Sequence, residues 1–262
     1  MSKKYLIYKT SGGLNHMLNQ INLSVFLSKI SERTLIIDCN SGCFKDDFNR
    51  YFKILNFEYF TSYDVMEKED YNNIIEYINS SVKYKNNKYF LIDRRVNLNK
   101  DEITKETQNI LFFTYLNGVN YYKDWNITVN VDILDKIKKY EVNEEYIGIH
   151  FRNTDCRHDL NKIVSRARSI KNIDLVYFST DDFLAYDLIK KLLPEKQIIR
   201  NTIPYNGFGK NIHYSNPDKG EVVLNTLIDM YCLSKSKIFI PSEKSSMSKR
   251  ILEIRKYNNF FI

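Results

Sequence analysis

Cysteine is scarce in this chain, and what is missing around it excludes more than what is present suggests. Cys39, Cys43, Cys156 and Cys232 lie far apart except for the first pair, and no histidine stands near that pair. Neither a disulfide framework nor a zinc site is expected, and the thiols read as reduced groups of a cytoplasmic protein. Also absent is any run approaching the roughly 20 apolar residues that a membrane span needs. Residues 1–25 lack the uninterrupted apolar core of a signal peptide, so export by that route is not expected. The Asn-x-Ser/Thr triplets at Asn22, Asn79 and Asn126 then carry little weight.

Other absences narrow the chemistry. The four histidines, His16, His150, His158 and His213, show no His-x-x-x-His or His-Glu spacing, which argues against a zinc hydrolase. No Gly-x-Ser-x-Gly elbow marks a nucleophilic serine. Neither the third glycine of a dinucleotide fingerprint nor the Gly-Lys-Ser/Thr ending of a phosphate loop is found. No internal repeat or low-complexity segment interrupts the chain.

What is there describes a globular protein. A content of 43% hydrophobic and 27% charged residues over 262 positions supplies core for one large domain or two modest ones. Two are expected, residues 1–140 and 141–262. The net charge of +7 and the pI of about 9.0 admit anionic partners. The 39 Lys and Arg residues are interspersed with 32 acidic ones, without an arginine-rich arm. A nucleic-acid track is not expected; a lysine-rich surface and an anion-binding cleft are. Peripheral contact with a membrane stays open.

The segment Ile147–Cys156 organises the rest. Ile147, Ile149 and Phe151 alternate with Gly148 and His150, predicting a buried strand that ends in Arg152, Asn153, Thr154 and Asp155. The carboxyl ends of such strands are where open α/β sheets bind ligands, and an arginine fork there suits a phosphate or carboxylate. A plain salt bridge between Arg152 and Asp155 is the simpler reading of the same residues.

A similar strand-to-turn junction opens the chain. Lys4–Lys9 reads as a strand, Gly12 and Gly13 as a turn, and Leu14, Leu18, Ile21, Val25 and Ile30 as an amphipathic helix, followed by a strand at Thr34–Cys39. Glycines in that turn let backbone approach a ligand closely, and free amides at the helix start favour phosphate. Further along, helices are predicted over 65–82 and 131–140 and buried strand-like runs at 89–93 and 110–115. Residues 44–63 resist assignment. Tyr121, Tyr122 and Trp125 read as core or surface aromatics rather than a sugar platform.

The second half repeats the rhythm. Strands are expected at 146–151, 174–179, 197–200 and 237–240, and helices at 159–170, 183–193, 221–233 and 245–257. Residues 201–217 form the longest loop. Asp181 and Asp182 end a strand and begin a helix, with Asp182 the better cap. Asp229 lies among apolar neighbours and needs a partner, because an unpaired buried charge is expensive. Ser245 and Ser246 open the last helix as a second anion-binding element.

Taken in order, four segments resemble the fucosyltransferase superfamily that contains the α-1,2, α-1,6 and protein O-fucosyl enzymes. These are Gly12-Gly13-Leu14-Asn15-His16 with Arg33-Thr34-Leu35-Ile36-Ile37, then His150-Phe151-Arg152-Asn153-Thr154-Asp155, then Phe178-Ser179-Thr180-Asp181-Asp182. The last is Asp229-Met230-Tyr231-Cys232-Leu233-Ser234 with Ser245-Ser246-Met247-Ser248 and Glu253. The resemblance is strongest from Ile147 to Ile254 and leaves residues of about 40 to 140 uncovered.

It implies a GT-B-like α/β fold, two Rossmann-like domains facing across a cleft, and an inverting, metal-independent transfer from GDP-fucose to a glycan acceptor. No metal and no cofactor beyond that donor is implied, and the chain lacks the Asp-x-Asp that holds manganese in many sugar transferases. By this resemblance Arg152 grips the leaving diphosphate, His150 and Asp155 shape the donor site, and Asp181 helps place the nucleotide. Asp229 meets the guanine side, Ser245 and Ser246 bind the diphosphate, and the loop Gly12, Gly13, Asn15 and His16 closes over the phosphates. His158 and Asp159 are candidates for the general base.

The α-1,6 branch carries a second arginine where this chain has Asn153, a lysine at Cys156 and a glutamate at Leu160. The alternatives are the same fold using another nucleotide sugar, and a catalytically inactive nucleotide- or polyanion-binding protein.

Overall fold

The computed structural model describes residues 3–10, 12–39, 47–79, 89–92, 109–113, 126–153, 159–202 and 219–257. The chain divides into two compact units, Met1–Asn130 and Val131–Phe261.

The first unit is built on a five-stranded parallel sheet. Its elements are β1 (Tyr5–Lys9), α1 (Leu14–Ser31), β2 (Thr34–Asp38), α2 (Phe48–Tyr51), β3 (Phe52–Ile54), β4 (Tyr59–Phe60), a 3-10 turn at Tyr63–Val65, α3 (Lys68–Asn79), β5 (Tyr89–Ile92), β6 (Ile110–Phe113) and β7 (Ile127–Val129). The order is β4-β2-β1-β6-β5, with every neighbouring pair parallel. Tyr5, Leu6, Ile7 and Tyr8 are all fully buried, as strands covered on both faces must be.

Two features depart from the sequence reading. The stretch 44–63 holds β3 and β4, and β3 pairs antiparallel with β7, Phe52 opposite Val129. Neither three-residue run is long enough to declare itself without the other. Helix α1 is buried on most of its surface rather than along one stripe, including Asn15, Gln20, Asn22, Ser24 and Ser28. Two of these polar groups are answered close by: Ser24 Oγ donates to the Gln20 carbonyl at 2.6 Å, and Asn22 Oδ1 accepts from the Asn126 amide at 3.0 Å. The aromatic stretch 121–125 lies outside the described residues.

The second unit carries a four-stranded parallel sheet. In chain order come α4 (Val131–Lys138), β8 (Ile147–Phe151), α5 (Leu160–Ser169), β9 (Leu175–Thr180), α6 (Phe183–Leu192), β10 (Gln197–Ile199), α7 (Lys219–Lys235), β11 (Ile238–Ile240) and α8 (Ser246–Tyr257). The order is β10-β9-β8-β11. Helix α4 packs against α7, so the second unit begins with this helix, at Val131.

The two faces of this sheet differ in chemistry. Ile147, Ile149, Phe151, Val176 and Phe178 join Ile163 and Ile189 of α5 and α6 in one apolar core. The alternate residues Gly148, His150, Tyr177 and Ser179 face α7 and α8, where their partners are Ser236, Ser248 and Asp229. Gly148 is required by that packing, because a Cβ there would stand 2.7 Å from Ser236 Oγ and 2.8 Å from Ser236 Cβ. Gly148→Ala is expected to cost about 1–3 kcal/mol, the usual penalty of overpacking. Chemical denaturation measures it, and an unchanged midpoint would contradict the tight approach of α7 to β8.

Candidate active site

In an open parallel sheet the crevice lies beyond the carboxyl ends of the strands, where the strand order reverses. In the second unit the chain moves outward from β8 to β9 and β10, then returns to the far side of β8 with β11. Arg152 and Asn153, which follow β8, and Ser242, which follows β11, therefore stand at the reversal point.

A chain of buried hydrogen bonds ties these ends together. His150 Nδ1 lies 2.7 Å from Ser248 Oγ, and Ser248 Oγ accepts from the Ser242 amide at 2.9 Å. Ser242 Oγ in turn accepts from the Arg152 amide at 3.2 Å. Ser242, Ser245, Ser248 and His150 are each at most 4% exposed. The backbone that launches the Arg152 side chain is thus anchored to α8 through two serines.

The Arg152 side chain is partly exposed, at 24%, with Nε 3.9 Å from Asp181 Oδ2. That distance is a loose ion pair rather than a bidentate lock. Asp181 also receives the Asn153 amide on Oδ1 at 2.8 Å, while Asn153 Nδ2 donates to Asp182 Oδ2 at 2.7 Å. Asp182 caps α6 through the Leu184 amide at 3.0 Å. Asn153 thus binds the β8 end to the β9 end.

Ser245 precedes α8, and its Oγ accepts from the Ser248 amide at 3.5 Å. Ser246 is the first helical residue, and the first turn of α8 has no acidic side chain. Its opening amides make a site for negative charge.

Asp229 sits on α7 beneath β9, 8% exposed. Its Oδ1 accepts from Tyr177 Oη at 2.7 Å and from Thr202 Oγ1 at 2.9 Å, and its Oδ2 from Ser179 Oγ at 2.7 Å. Burial pushes this carboxyl above the usual range, while the three hydroxyls and the nearby Arg200 pull it down. Burial likewise drives the Tyr177 phenol well up, with the Asp229 charge adding to it. The carboxylate foreseen on the guanine side is therefore held by three hydroxyls of its own unit.

Asp159 is the N-cap of α5, its Oδ1 taking the Asn161 amide at 2.9 Å. Asp155 and His158 lie outside the described residues.

The first unit has its own reversal, between β1 and β6, and the glycine turn follows β1 there. Gly12 has φ +76°, a left-handed backbone that glycine adopts without strain. A Cβ at Gly12 would lie 3.1 Å from His16 Cδ2. Gly13 caps α1 with no side-chain hydrogen bond, and no acidic residue follows in the first turn. Asn15 is 5% exposed, and its Oδ1 has no hydrogen-bond partner among the described residues. Burial lowers the His16 imidazole below the ordinary histidine range.

The residues foreseen from sequence thus form two clusters. Gly12, Gly13, Asn15 and His16 gather at the α1 start. Arg152, Asp181, Ser245 and Ser246 lie along the carboxyl edge of the second sheet, with His150 and Asp229 packed behind it. The sequence reading passed over Ser242, Ser248, Tyr177, Thr202 and Arg200. Arg200 ends the predicted strand 197–200 and could have been found by applying the carboxyl-edge rule to every strand of the sheet.

The fold and this edge define an α/β class with two Rossmann-like sheets. No protein-family profile matches the chain, and no curated protein matches it by sequence. Solved structures do resemble it. NodZ α-1,6-fucosyltransferase soaked with GDP-fucose aligns with 96% of this chain and 93% of its own, at TM-score 0.58 and 16% identity; another NodZ structure is from Bradyrhizobium. A variant of Arabidopsis thaliana FUT1 in complex with GDP covers 97% of this chain and 69% of its own, at TM-score 0.57 and 11% identity. POFUT1 in complex with GDP-fucose covers 95% and 93%, at TM-score 0.55 and 12% identity. The chain has the GT-B-like α/β fold of these fucosyltransferases. Among the described residues no helix is long and apolar enough to cross a membrane.

Proposed function

We propose that the protein is a glycosyltransferase that moves fucose from GDP-fucose to a hydroxyl of a glycan, by inversion and without a metal ion. The observation that carries this reading is Arg152, raised at the strand-order reversal on a backbone fixed by Ser242 and Ser248, beside the open amide end of α8. The likeness to structures that hold GDP or GDP-fucose supports the choice of donor.

In this mechanism the bond between the anomeric carbon and the β-phosphate oxygen breaks, and its electron pair leaves with GDP. The acceptor oxygen bonds to the opposite face of that carbon and gives its proton to a base. His158 and Asp159 are the candidates, although Asp159 already caps α5 with one oxygen. Charge collecting on the diphosphate is stabilised by the Arg152 fork and by helix-start amides, fixed donors that require no reorganisation.

A transfer and donor-hydrolysis assay tests the reading. GDP-fucose should turn over at the same rate with and without EDTA. Loss of activity in EDTA that magnesium restores removes the metal-free step. Turnover of a different nucleotide sugar replaces fucose, and saturable GDP binding with no turnover of any donor makes the chain a binding protein.

A further inference from the structure

Arg200 follows β10, and its guanidinium is held on several sides. Its Nε donates to the Thr202 carbonyl and Nη2 to Thr202 Oγ1 at 3.4 Å. The guanidinium carbon lies 4.9 Å from the Tyr186 ring centre, within cation–π range. Thr202 Oγ1 also donates to Asp229, so cation and buried carboxylate share one hydroxyl. The remaining nitrogen, Nη1, is buried and has no hydrogen-bond partner among the described residues. A buried charged donor left unmatched is costly and calls for an explanation.

Position suggests what would match it. Neighbouring strands are about 4.8 Å apart, and the order β10-β9-β8-β11 sets Arg200 two strands to the side of β8; with Ile199 opposite Tyr177 and Phe151 opposite Thr180, it also stands about 10 Å short of Arg152 along the strands. Asp181 ends the strand between them. In doubly wound sheets the pyrophosphate sits at the reversal and an acidic residue farther along the edge meets the ribose. With a diphosphate at Arg152 and a ribose near Asp181, the base falls at the end of β10. One available nitrogen suits a single acceptor atom rather than the two-point grip of a phosphate. Guanine offers a carbonyl oxygen at its 6-position, where adenine carries an amino donor that would oppose Nη1.

The geometry points to Arg200 as a base-reading residue, whose Nη1 donates to the 6-carbonyl of a guanine nucleotide and disfavours adenine. This rests on the proposal that the second unit binds a nucleotide sugar through Arg152, and it adds the residue that chooses the base.

Calorimetric binding of GDP, IDP and ADP to the full chain, compared between wild type, Arg200→Met and Arg200→Lys, tests it. IDP keeps the 6-carbonyl and lacks the 2-amino group, so it isolates the contact in question. Arg200→Met should weaken GDP and IDP by about 10- to 100-fold, the range for one charge-assisted hydrogen bond, and leave ADP unmoved. Arg200→Lys keeps the charge beside Asp229 without the flat fork and should lose part of the preference. If Arg200→Met does not fold, the lysine variant decides. Equal weakening of all three nucleotides, or unchanged GDP binding in a folded variant, overturns the assignment. Wild-type protein that binds none of them overturns the nucleotide-sugar reading itself.

Discussion

Replacing Arg152 with alanine should lower turnover of the donor sugar by about 100-fold or more, because removing one fixed donor from developing oxyanion charge commonly costs that much. The loss should appear in kcat more than in stability. The side chain is 24% exposed, and its ion pair with Asp181 spans 3.9 Å. The backbone at this position keeps its anchor, since the Arg152 amide donates to Ser242 Oγ whatever side chain follows. Arg152→Lys retains the charge but not the planar fork, and should recover only part of the rate. Steady-state kinetics with far-ultraviolet circular dichroism separate the effects. A folded alanine variant with near-normal turnover would remove Arg152 from the mechanism.

Asp229→Ala should act in the opposite sense, on the fold before the rate. It strands the hydroxyls of Tyr177, Ser179 and Thr202, which all donate to this carboxylate, and takes away the negative charge near Arg200. Orphaning several buried groups at once is expected to cost about 3 kcal/mol or more, a fall of roughly 10 °C in Tm for a unit of this size. Asp229→Asn keeps the shape and an acceptor and should cost less.

The pH dependence carries a sign. Burial raises this carboxyl in the native state, so the proton is held more tightly there than in the unfolded chain. The group's share of stability is full below the solution value of about 3.9 and falls as pH rises through the elevated native value. Asp229→Asn should flatten that slope in denaturant titrations between acid and neutral pH. A slope identical to wild type would mean the carboxylate is not buried as described.

Much of the fold was legible in the sequence. β1, α1, β2 and nearly all of the second unit fall where alternation, helical spacing and turn residues placed them, as with β8 at Ile147–Phe151 and α6 at Phe183–Leu192. The site was legible in part. Arg152, Asp181 and the Ser245 turn are strand-end and helix-start residues, and local sequence marks such junctions. Arg200 was missed because a cation next to a loop looks like any solvated arginine. Only the ring of Tyr186, the two groups of Thr202 and the closed environment of Nη1 distinguish it.

The sequence by itself determined which segments become strands and helices and which polar residues terminate them, because those choices rest on spacing within a few residues. Tertiary structure alone decided the rest. It set the order β10-β9-β8-β11 that places Arg152 at a reversal, paired β3 with β7, and joined His150 to Ser248 and Asp229 to Tyr177. Those contacts link residues dozens of positions apart, and their energy comes from burying polar groups only where a partner arrives to meet them, which local spacing cannot specify.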